Sequence, residues 1–369
     1  MPEAWNHCSL ADVVTLQRGL DLPEYGRRRG NVPVLGSFGV TGWHDEAAVV
    51  GPGVTIGRSG GSIGVTTYTA SRYWPLNTTL FVRDFHGNDP RFVYYLLGSY
   101  DFAAYDSGSA QPSLNRNFIA RMPVLLPPLS EQCAIAEVLG AFDDKIEVNE
   151  RATSIAKTWV VAAYSSAGEG LVPLSAIARS RHTTVDPSSL GETLVDHFSL
   201  PAFDAGQRPE RTEATSIKSN KLQVPPSSVL MSRLNPRIQR VWRAQVDGEV
   251  PALSSTEFLV LQPVDGLTAT DIWAVCSDAV VSAEMAARVT GTSGSHQRVR
   301  PQDAMSVEAP DPRVVPSQVR QCAEAMLTLV DSLDVEAALL AQLRDVLLPR
   351  LLSGELRVRD AAAIVEEAV

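Results

Sequence analysis

The sequence predicts an α+β protein: two units of small mixed β-sheets with helices, separated by two long antiparallel coiled-coil helices, in a pseudo-twofold internal repeat. Three observations predict this class. Two segments space their apolar residues near 3.5 positions apart, the period of a coiled coil. Short β-rich runs, punctuated by glycine and proline, fill the rest of the chain. Similar motifs also recur in the same order in both halves.

The first long helix is predicted to begin after Pro127-Pro128, where Ser130 can cap it and Glu131 adds charge near its positive end. Asn149 falls on the seam, where a polar residue can fix the register. The strongest packing positions are Ile135, Leu139, Phe142 and Ile146, followed by Ala152, Ala156 and Val160.

The second long helix is predicted to begin near Pro316-Ser317 and to end before Gly354. Each helix would be about 50 Å long. Two ordinary core helices are the alternative. The predicted seam consists of Val319, Cys322, Met326, Leu329, Leu333, Ala337, Leu340, Leu343, Leu347 and Leu351.

These elements predict five segments along the chain. They are a β-rich unit over 1–128, a spacer helix over 129–168, a second β-rich unit over 169–314, a second spacer helix over 315–354 and a tail over 355–369.

The two β-rich units share motifs at matched places. LADVV from Leu10 matches LSAIA from Leu174, and the Pro-ended strand around Met122 matches the one around Met305. The Gly/Ser loops 108–116 and 294–300 precede these strands and both contain Gln and Arg. Their pairing predicts a common contact.

Composition limits the function classes. The 369 residues are 44% apolar and carry a formal charge of −10, which argues against non-specific coating of nucleic acid. No run of about 18 apolar residues occurs, and the first residues lack a signal-peptide pattern, so a cytoplasmic protein is expected. The four cysteines lie far apart, which makes a zinc ribbon or a disulfide framework improbable.

One segment is basic against this acidic background. Residues 208–243 hold eight basic side chains and only two acidic ones, Glu210 and Glu213. Within it, MSRLNPRIQRVW places arginines around a turn, where they could hold phosphates or bind guanine bidentately. A solvated loop is the alternative.

No catalytic or metal-binding pattern stands out. The glycine-rich stretch Gly57–Gly64 lacks the lysine of a phosphate loop and favours a hairpin with close backbone approach. Asn235-Pro236 lacks the second proline and the aromatic residue of an amino-methyltransferase motif. Asp143-Asp144 is expected on a solvated helix face. We therefore predict no catalytic residue and no metal ligand.

The candidate DNA contacts are the polar and basic residues of these loops. They are Arg58, Ser59, Ser62, Arg72, Gln111, Asn115, Arg116, Arg208, Arg211, Lys218, Lys221, Ser232, Arg233, Asn235, Arg237, Arg240, His296, Gln297, Arg298 and Arg300.

The stretch PPLSEQCAIAEVLGAFDDKIEVN from Pro127 resembles the central helix of specificity subunits of type I restriction-modification systems. LRDVLLPRLLSGEL from Leu343 resembles their C-terminal helix, and SRLNPR from Ser232 and STEFLVLQP from Ser255 add to the likeness. PSQVRQCAEAM from Pro316 departs from the family in lacking a PxxEQ-type opening.

The resemblance implies a DNA-binding subunit without catalytic residues or a cofactor of its own. Its two target recognition domains would read a bipartite target with an unread gap. Its partners would be double-stranded DNA, two methyltransferase subunits that bind S-adenosylmethionine, and, where present, restriction subunits that use ATP and Mg²⁺. A stand-alone DNA-processing enzyme and a protein-only scaffold are the alternatives.

Overall fold

The computed structural model describes residues 5–105, 113–167, 170–246, 248–289 and 297–361. The chain forms two compact units: unit 1 contains Met1–Asn149 and Val335–Val369, and unit 2 contains Glu150–Asp334. Each unit combines small β-sheets with part of each of two long helices, which confirms the predicted α+β class.

The helices of the chain are mostly short, apart from two. They are α1 Leu10–Val13, α2 Pro90–Gly98, α3 Arg116–Ile119, α4 Leu129–Ala167, α5 Leu200–Asp204, α6 Ala269–Cys276, α7 Ala279–Ala287, α8 Pro301–Met305 and α9 Ser317–Leu352. The long helices α4 and α9 have 39 and 36 residues. After α9, Gly354 adopts a φ of +74°, a conformation that glycine tolerates at a helix end.

The described residues of unit 1 form three small sheets. Its strands are β1 Asn6–Ser9, β2 Thr15–Arg18, β3 Val32–Gly36, β4 Gly39–His44, β5 Gly53–Gly57, β6 Thr66–Thr69, β7 Trp74–Pro75, β8 Thr79–Asp84 and β9 Pro123–Leu126. The antiparallel sheet β2-β8-β5-β6 lies beside β4-β3-β7, in which β3 and β7 are parallel, and β1 pairs with β9.

Unit 2 repeats this plan. Its strands are β10 Leu171–Pro173, β11 Ala178–Arg181, β12 Thr184–Val185, β13 Leu194–Phe198, β14 Glu210–Glu213, β15 Lys221–Gln223, β16 Val229–Ser232, β17 Val241–Arg243, β18 Ala252–Ser254, β19 Phe258–Pro263 and β20 Glu308–Pro310. The sheet β11-β19-β16-β17 matches β2-β8-β5-β6, the pair β10-β20 matches β1-β9, and β13 pairs with β18 in parallel as β3 does with β7.

Backbone hydrogen bonds give the register of the repeat. Leu10 N donates to Met122 O, and Leu174 N donates to Val307 O, both at 2.9 Å. The match of Leu10 with Leu174 is therefore confirmed, but Met122 corresponds to Val307 rather than to Met305. The sequence motifs match Met122 with Met305. The structure instead places the buried residues Met122 and Val307 at equivalent positions, where they are 4% and 0% exposed.

In unit 1 the helices α2, α4 and α9 pack on the sheets in one hydrophobic core. Ile135, Leu139 and Phe142 of α4 and Leu340 and Leu347 of α9 are fully or almost fully buried there. Ile146 and Leu343 are half-buried against the same core. In these parts of the two helices, the structure therefore buries the residues that were predicted to form the seam.

Polar contacts complete this seam. The side chain of Asn149 is 2% exposed, and its Nδ2 donates to Glu336 Oε2 at 2.6 Å. Lys145 Nζ lies 3.6 Å from Glu336 Oε1. A buried amide that has one specific partner favours one register of the helix pair, as the sequence predicted for Asn149.

In unit 2 the predicted seam of α9 is displaced by one residue. Leu329 is 55% exposed, whereas Leu327 and Val330 are 2% exposed and belong to the core. Leu333 and Met326 are only partly buried. The apolar spacing predicts that Leu333 faces α4, but Asp334 occupies that position.

Asp334 faces polar residues of α4 in the same unit. Its Oδ1 accepts a hydrogen bond from Thr153 Oγ1 at 3.3 Å, and its Oδ2 lies 3.6 Å from Lys157 Nζ. An acidic residue at this position is invisible to a pattern that counts apolar side chains, which explains the displacement.

Residues 268–289 do not form one continuous helix. The structure contains two helices, α6 and α7, because Asp278 interrupts the pattern. Its carboxylate accepts a hydrogen bond from Val280 N at 2.7 Å and caps α7.

Each unit holds its long helices with a tyrosine, an aspartate and an arginine. In unit 1, Tyr95 of α2 donates to Asp143 of α4 at 2.5 Å, and Arg344 of α9 donates to the same carboxylate at 2.6 Å. Arg91 donates to Asp144 at 2.6 Å. The expectation of a solvated face is therefore wrong for Asp143, whose side chain is 21% exposed, whereas the Asp144 side chain is 65% exposed although it pairs with Arg91.

In unit 2 the long helix α4 supplies the tyrosine and the short helix α6 supplies the aspartate. Tyr164 of α4 donates to Asp271 of α6 at 2.6 Å, and Arg320 of α9 donates to Asp271 at 2.8 Å. Asp271 is 1% exposed. Burial would raise the pKa of this carboxyl, but the hydrogen bonds from Arg320, Tyr164 and Thr268 lower it below its usual value.

Candidate DNA interface

The end of the central strand β5 positions the first candidate arginine. Arg58 follows β5 directly, its N–H donates to Thr78 O at 2.9 Å, and its carbonyl accepts from Leu114 N at 2.9 Å. The chain then makes a short turn at Gly60–Ser62 and returns as β6, which is the predicted hairpin. A Cβ at Gly57 would lie 2.0 Å from Ser62 O, so the predicted close backbone approach is also present.

Three arginines meet beside this strand end. Arg18, Arg58 and Arg116 contribute to an open groove of about 540 Å³, which we call the arginine groove. Among the described residues that line it, none is acidic. The lining consists of Gln17, Arg18, Gly19, Arg58, Leu80, Ser113, Leu114, Asn115 and Arg116. Arginines that line a groove without a carboxylate suit an anionic ligand with spaced phosphates.

Gln17 and Arg18 line the arginine groove but are not among the DNA contacts predicted from the sequence. Leu80 of β8 pairs with Arg18 on one side and with Ile56 of β5 on the other. The sheet order thus brings Arg18 close to Arg58, 40 positions further along the chain. No local motif marks Arg18, because only the strand pairing reveals its neighbours.

Some candidates of unit 1 lie outside the groove. Ser62 is 1% exposed and donates its hydroxyl to Ser59 O at 2.8 Å, so it holds the turn. Ser59 is exposed beside it. Arg72 lies at the opposite end of the β5–β6 hairpin, since Gly53 pairs with Thr69. Gln111 lies outside the described residues.

The matching position in unit 2 is occupied by Arg233. This residue follows the central strand β16, its N–H donates to Glu257 O at 2.8 Å, and its carbonyl accepts from Val299 N at 3.1 Å. The contacts repeat those of Arg58 with Thr78 and Leu114. The isolated bridges Ser59–Ser113 and Leu234–Arg298 also correspond.

The side chains at this position differ between the units. The guanidinium of Arg233 donates to Thr256 O at 2.6 Å and to Val299 O at 3.4 Å. Arg298 forms a bidentate ion pair with Glu257, with Nη2 and Oε1 2.8 Å apart. By contrast, Arg58 makes no ion pair with any described residue.

The Arg233 loop, residues 233–240, carries the other candidates of this region. Asn235 has a φ of +47° and donates its N–H to Gln297 O at 2.9 Å. Its buried Oδ1 has no hydrogen-bond partner among the described residues. Arg237 and Arg300 are exposed. Ser232 is buried and donates its hydroxyl to Leu234 O, so it closes the turn.

The basic segment 208–243 does not form a continuous basic surface. Six of its eight basic side chains bond inside unit 2: Arg208 to Asp334 O, Arg211 to Asp196, Lys221 to Ser219, Arg233 to Thr256 O, Arg240 to Asp204 and Arg243 to Asp331. A count along the sequence misses these partners because most of them lie outside the counted segment. Lys218 is exposed, and His296 lies outside the described residues.

The titration behaviour of these groups agrees with a structural role. Hydrogen bonding to Asp204 raises the pKa of Arg240, and hydrogen bonding to Arg240 lowers the pKa of the Asp204 carboxyl. Burial lowers the pKa of the Lys221 ammonium. A desolvated ammonium is a poor candidate for a phosphate contact at the surface.

The described residues contain no group of three or more His, Cys, Asp or Glu side chains that could hold a metal ion. All four cysteines, Cys8, Cys133, Cys276 and Cys322, fall within the described ranges and are free. Over the same ranges, no helix has the length and apolar character needed to cross a bilayer.

The chain resembles a protein-family model and several solved structures. Residues 2–156 match the family model of the type I restriction modification DNA specificity domain. The S subunit of a type I restriction-modification system from M. genitalium shares 15% identity over 94% of this chain and 96% of its own, with a TM-score of 0.61, and has the same fold. The HsdS subunit from Thermoanaerobacter tengcongensis aligns over 96% of this chain and 98% of its own at 15% identity, with a TM-score of 0.33. None of the curated proteins matches the sequence.

The resemblance seen in the helix motifs is thereby confirmed, and the match covers the arginine groove and most of α4. The family resemblance is therefore shown for residues 2–156, and the likeness to the M. genitalium S subunit shows the fold of the whole chain.

Proposed function

We propose that the chain reads a bipartite DNA target and that each unit reads one part of it. The observation that carries this proposal is the repeated arginine at the end of the central strand. Arg58 in unit 1 and Arg233 in unit 2 have the same backbone contacts, although their surrounding side chains differ. A shared anchor with different neighbours is what two readers of different base sequences require.

We further propose that the chain is not catalytic and takes no cofactor. Two methyltransferase subunits would supply the S-adenosylmethionine chemistry, and restriction subunits, where present, would use ATP and Mg²⁺. Exposed apolar side chains on the long helices support a partner that docks there. They are Val148, Val335, Leu339 and Val346 in unit 1 and Ile155, Trp159 and Leu329 in unit 2.

Methylome sequencing of cells with and without the gene tests the proposal. The expected result is loss of one split methylated motif when the gene is absent. Replacing residues 1–128 with the equivalent segment of a relative should change one half-site and leave the other intact. A simultaneous change of both half-sites would contradict the two-reader proposal, and methyl transfer or cleavage by the purified chain alone would contradict a non-catalytic subunit.

The gap between the half-sites offers a separate test. We propose that the lengths of α4 and α9 set the number of unread base pairs. One heptad inserted within 146–156 and another within 333–343 keep the seam in phase and lengthen each helix by about 10 Å. This corresponds to at most about three base pairs of straight DNA. The same half-sites with a longer gap are expected, and an active protein with the original gap would show that the helices do not set it.

A further inference from the structure

An exposed aromatic ring stands at the tip of the β3–β4 hairpin in unit 1. Ser37 and Phe38 form the two-residue connection between Gly36 and Gly39, which pair with each other. The side chain of Phe38 is 74% exposed. A single exposed apolar residue is ordinary on a protein surface, so its location must carry the argument.

The hairpin tip is tied to the turn that holds Arg58. Thr78 O accepts a hydrogen bond from Ser37 Oγ at 3.2 Å and another from Arg58 N at 2.9 Å. A Cβ at Gly57 would lie 2.7 Å from Ser37 O, so the hairpin and β5 touch without an intervening side chain. The backbone at Phe38 is therefore held next to the turn that carries Arg58, one of the residues that line the arginine groove.

The charges of the groove indicate what this ring meets. Arg18, Arg58 and Arg116 attract a polyanion, and arginine contacts with phosphates carry no base information. An apolar group held beside phosphate-binding arginines can touch a thymine methyl group or press between two base pairs. The ring adds a sequence-dependent contact that the arginines do not supply through phosphates.

We propose that Phe38 is an apolar base contact of unit 1 and helps to determine the half-site that this unit reads. The inference rests on the proposed function, because it assumes that unit 1 binds DNA at the arginine groove. Docking of a protein partner on the same ring is the competing interpretation.

The test uses the complex reconstituted with its methyltransferase subunit and a duplex of about three helical turns. The duplex carries the target mapped by methylome sequencing. Phe38→Ala is compared with wild type and with Val50→Ala, which also removes an exposed apolar side chain. Val50 is 86% exposed and lies at the opposite end of β5 from Arg58. Fluorescence anisotropy gives Kd at several salt concentrations and for each single base-pair change in the half-site.

Phe38→Ala should weaken binding to the target about 10-fold and flatten the preference at one or two base pairs. The slope of log Kd against log salt should stay unchanged, because no phosphate contact is lost. Val50→Ala should behave as wild type. Phe38→Leu, which keeps an apolar side chain, should retain part of the affinity, and equal thermal melting curves show that the variants are folded.

Unchanged affinity and unchanged base preference in Phe38→Ala would overturn the inference. Loss of the methyltransferase subunit from that variant in size-exclusion chromatography, with base preference retained, would assign the ring to protein docking and would also overturn it. Failure of the proposed function is seen separately, since the wild-type complex would then not distinguish the target from a scrambled duplex.

Discussion

Units 1 and 2 share a scaffold but differ at the end that carries Arg58 and Arg233. In unit 1 a two-residue turn joins β3 to β4, and three arginines line an open groove. In unit 2 the matching strands, β13 and β14, are joined by residues 199–209, which contain α5. Asp204 of α5 pairs with Arg240 and thereby holds the Arg233 loop.

The difference separates what the fold keeps from what it varies. Both units keep the backbone contacts that place an arginine after the central strand. They vary the length of the neighbouring connection and the partners of the guanidinium groups. A scaffold of this kind can change its DNA preference without changing its core, because the varied residues lie in loops.

The largest expected effect concerns the buried aspartates. Asp271→Ala should lower the free energy of unfolding by about 3–5 kcal/mol, because it leaves Arg320 and Tyr164 without their buried carboxylate. Asp143→Ala should cost less, about 1–2 kcal/mol, since the Asp143 side chain is 21% exposed and solvent can replace it. Urea denaturation followed by amide hydrogen exchange assigns each loss to its unit.

Asp144→Ala is the matched control for the aspartate pair. The Asp144 side chain is 65% exposed, and the variant should change stability by less than about 1 kcal/mol. Equal losses for Asp271→Ala and Asp143→Ala would show that burial does not distinguish the two networks.

The second expected effect compares the two matching arginines. Arg58→Ala and Arg233→Ala should each reduce DNA affinity by about 1–3 kcal/mol if the side chain contacts a base. Only Arg233→Ala should also reduce stability, by about 1 kcal/mol, because its guanidinium bonds to Thr256 O and Val299 O. DNA binding and urea denaturation are measured on the same samples.

Arg72→Ala serves as the DNA-binding control in unit 1, since Arg72 is exposed at the far end of the β5–β6 hairpin. Wild-type affinity and base preference in both Arg58→Ala and Arg233→Ala would contradict a DNA surface at these strand ends.

The smallest expected effect is a pH dependence carried by unit 2. Burial and the nearby charge of Lys221 lower the pKa of His197 below 6.5, with Glu210 opposing them. The unfolded chain therefore takes up the proton first. The contribution of neutral His197 to stability is present above pH 6.5 and is lost as the pH falls through its folded-state pKa.

His197→Gln should flatten this dependence. Urea midpoints measured from pH 7.5 to pH 5.5 should fall more steeply in wild type than in the variant. Parallel curves would indicate that His197 does not titrate differently in the folded chain.

The local elements were predictable because their signals are local. Pro127-Pro128 marks the start of α4, and β-rich runs with glycine boundaries mark β5 and β8. Asn149 was placed correctly on the seam from apolar spacing alone. These signals depend only on neighbours within one or two turns of the chain.

The candidate site was less predictable because it depends on strand pairing. Arg18 reaches Arg58 only through Leu80, and no periodicity reveals that β8 lies between β2 and β5. The net charge of the basic segment 208–243 does not predict a basic surface for the same reason. Asp196 and Asp331, which lie outside the segment, form ion pairs with Arg211 and Arg243. A charge count predicts a surface only when the partners of each charge are known.

The tyrosine–aspartate–arginine networks restrict how recognition segments can be exchanged. In unit 1 the tyrosine (Tyr95) comes from the β-rich segment and the carboxylate (Asp143) from α4, whereas in unit 2 α4 supplies Tyr164 and the β-rich segment supplies Asp271. Transplanting residues 1–128 alone into the second position would set one tyrosine against another and deprive Arg320 of its carboxylate. A cassette moved between the two positions must therefore extend into the helix and carry both members of the pair, which places the compatible crossover points inside α4 rather than at the loop before it.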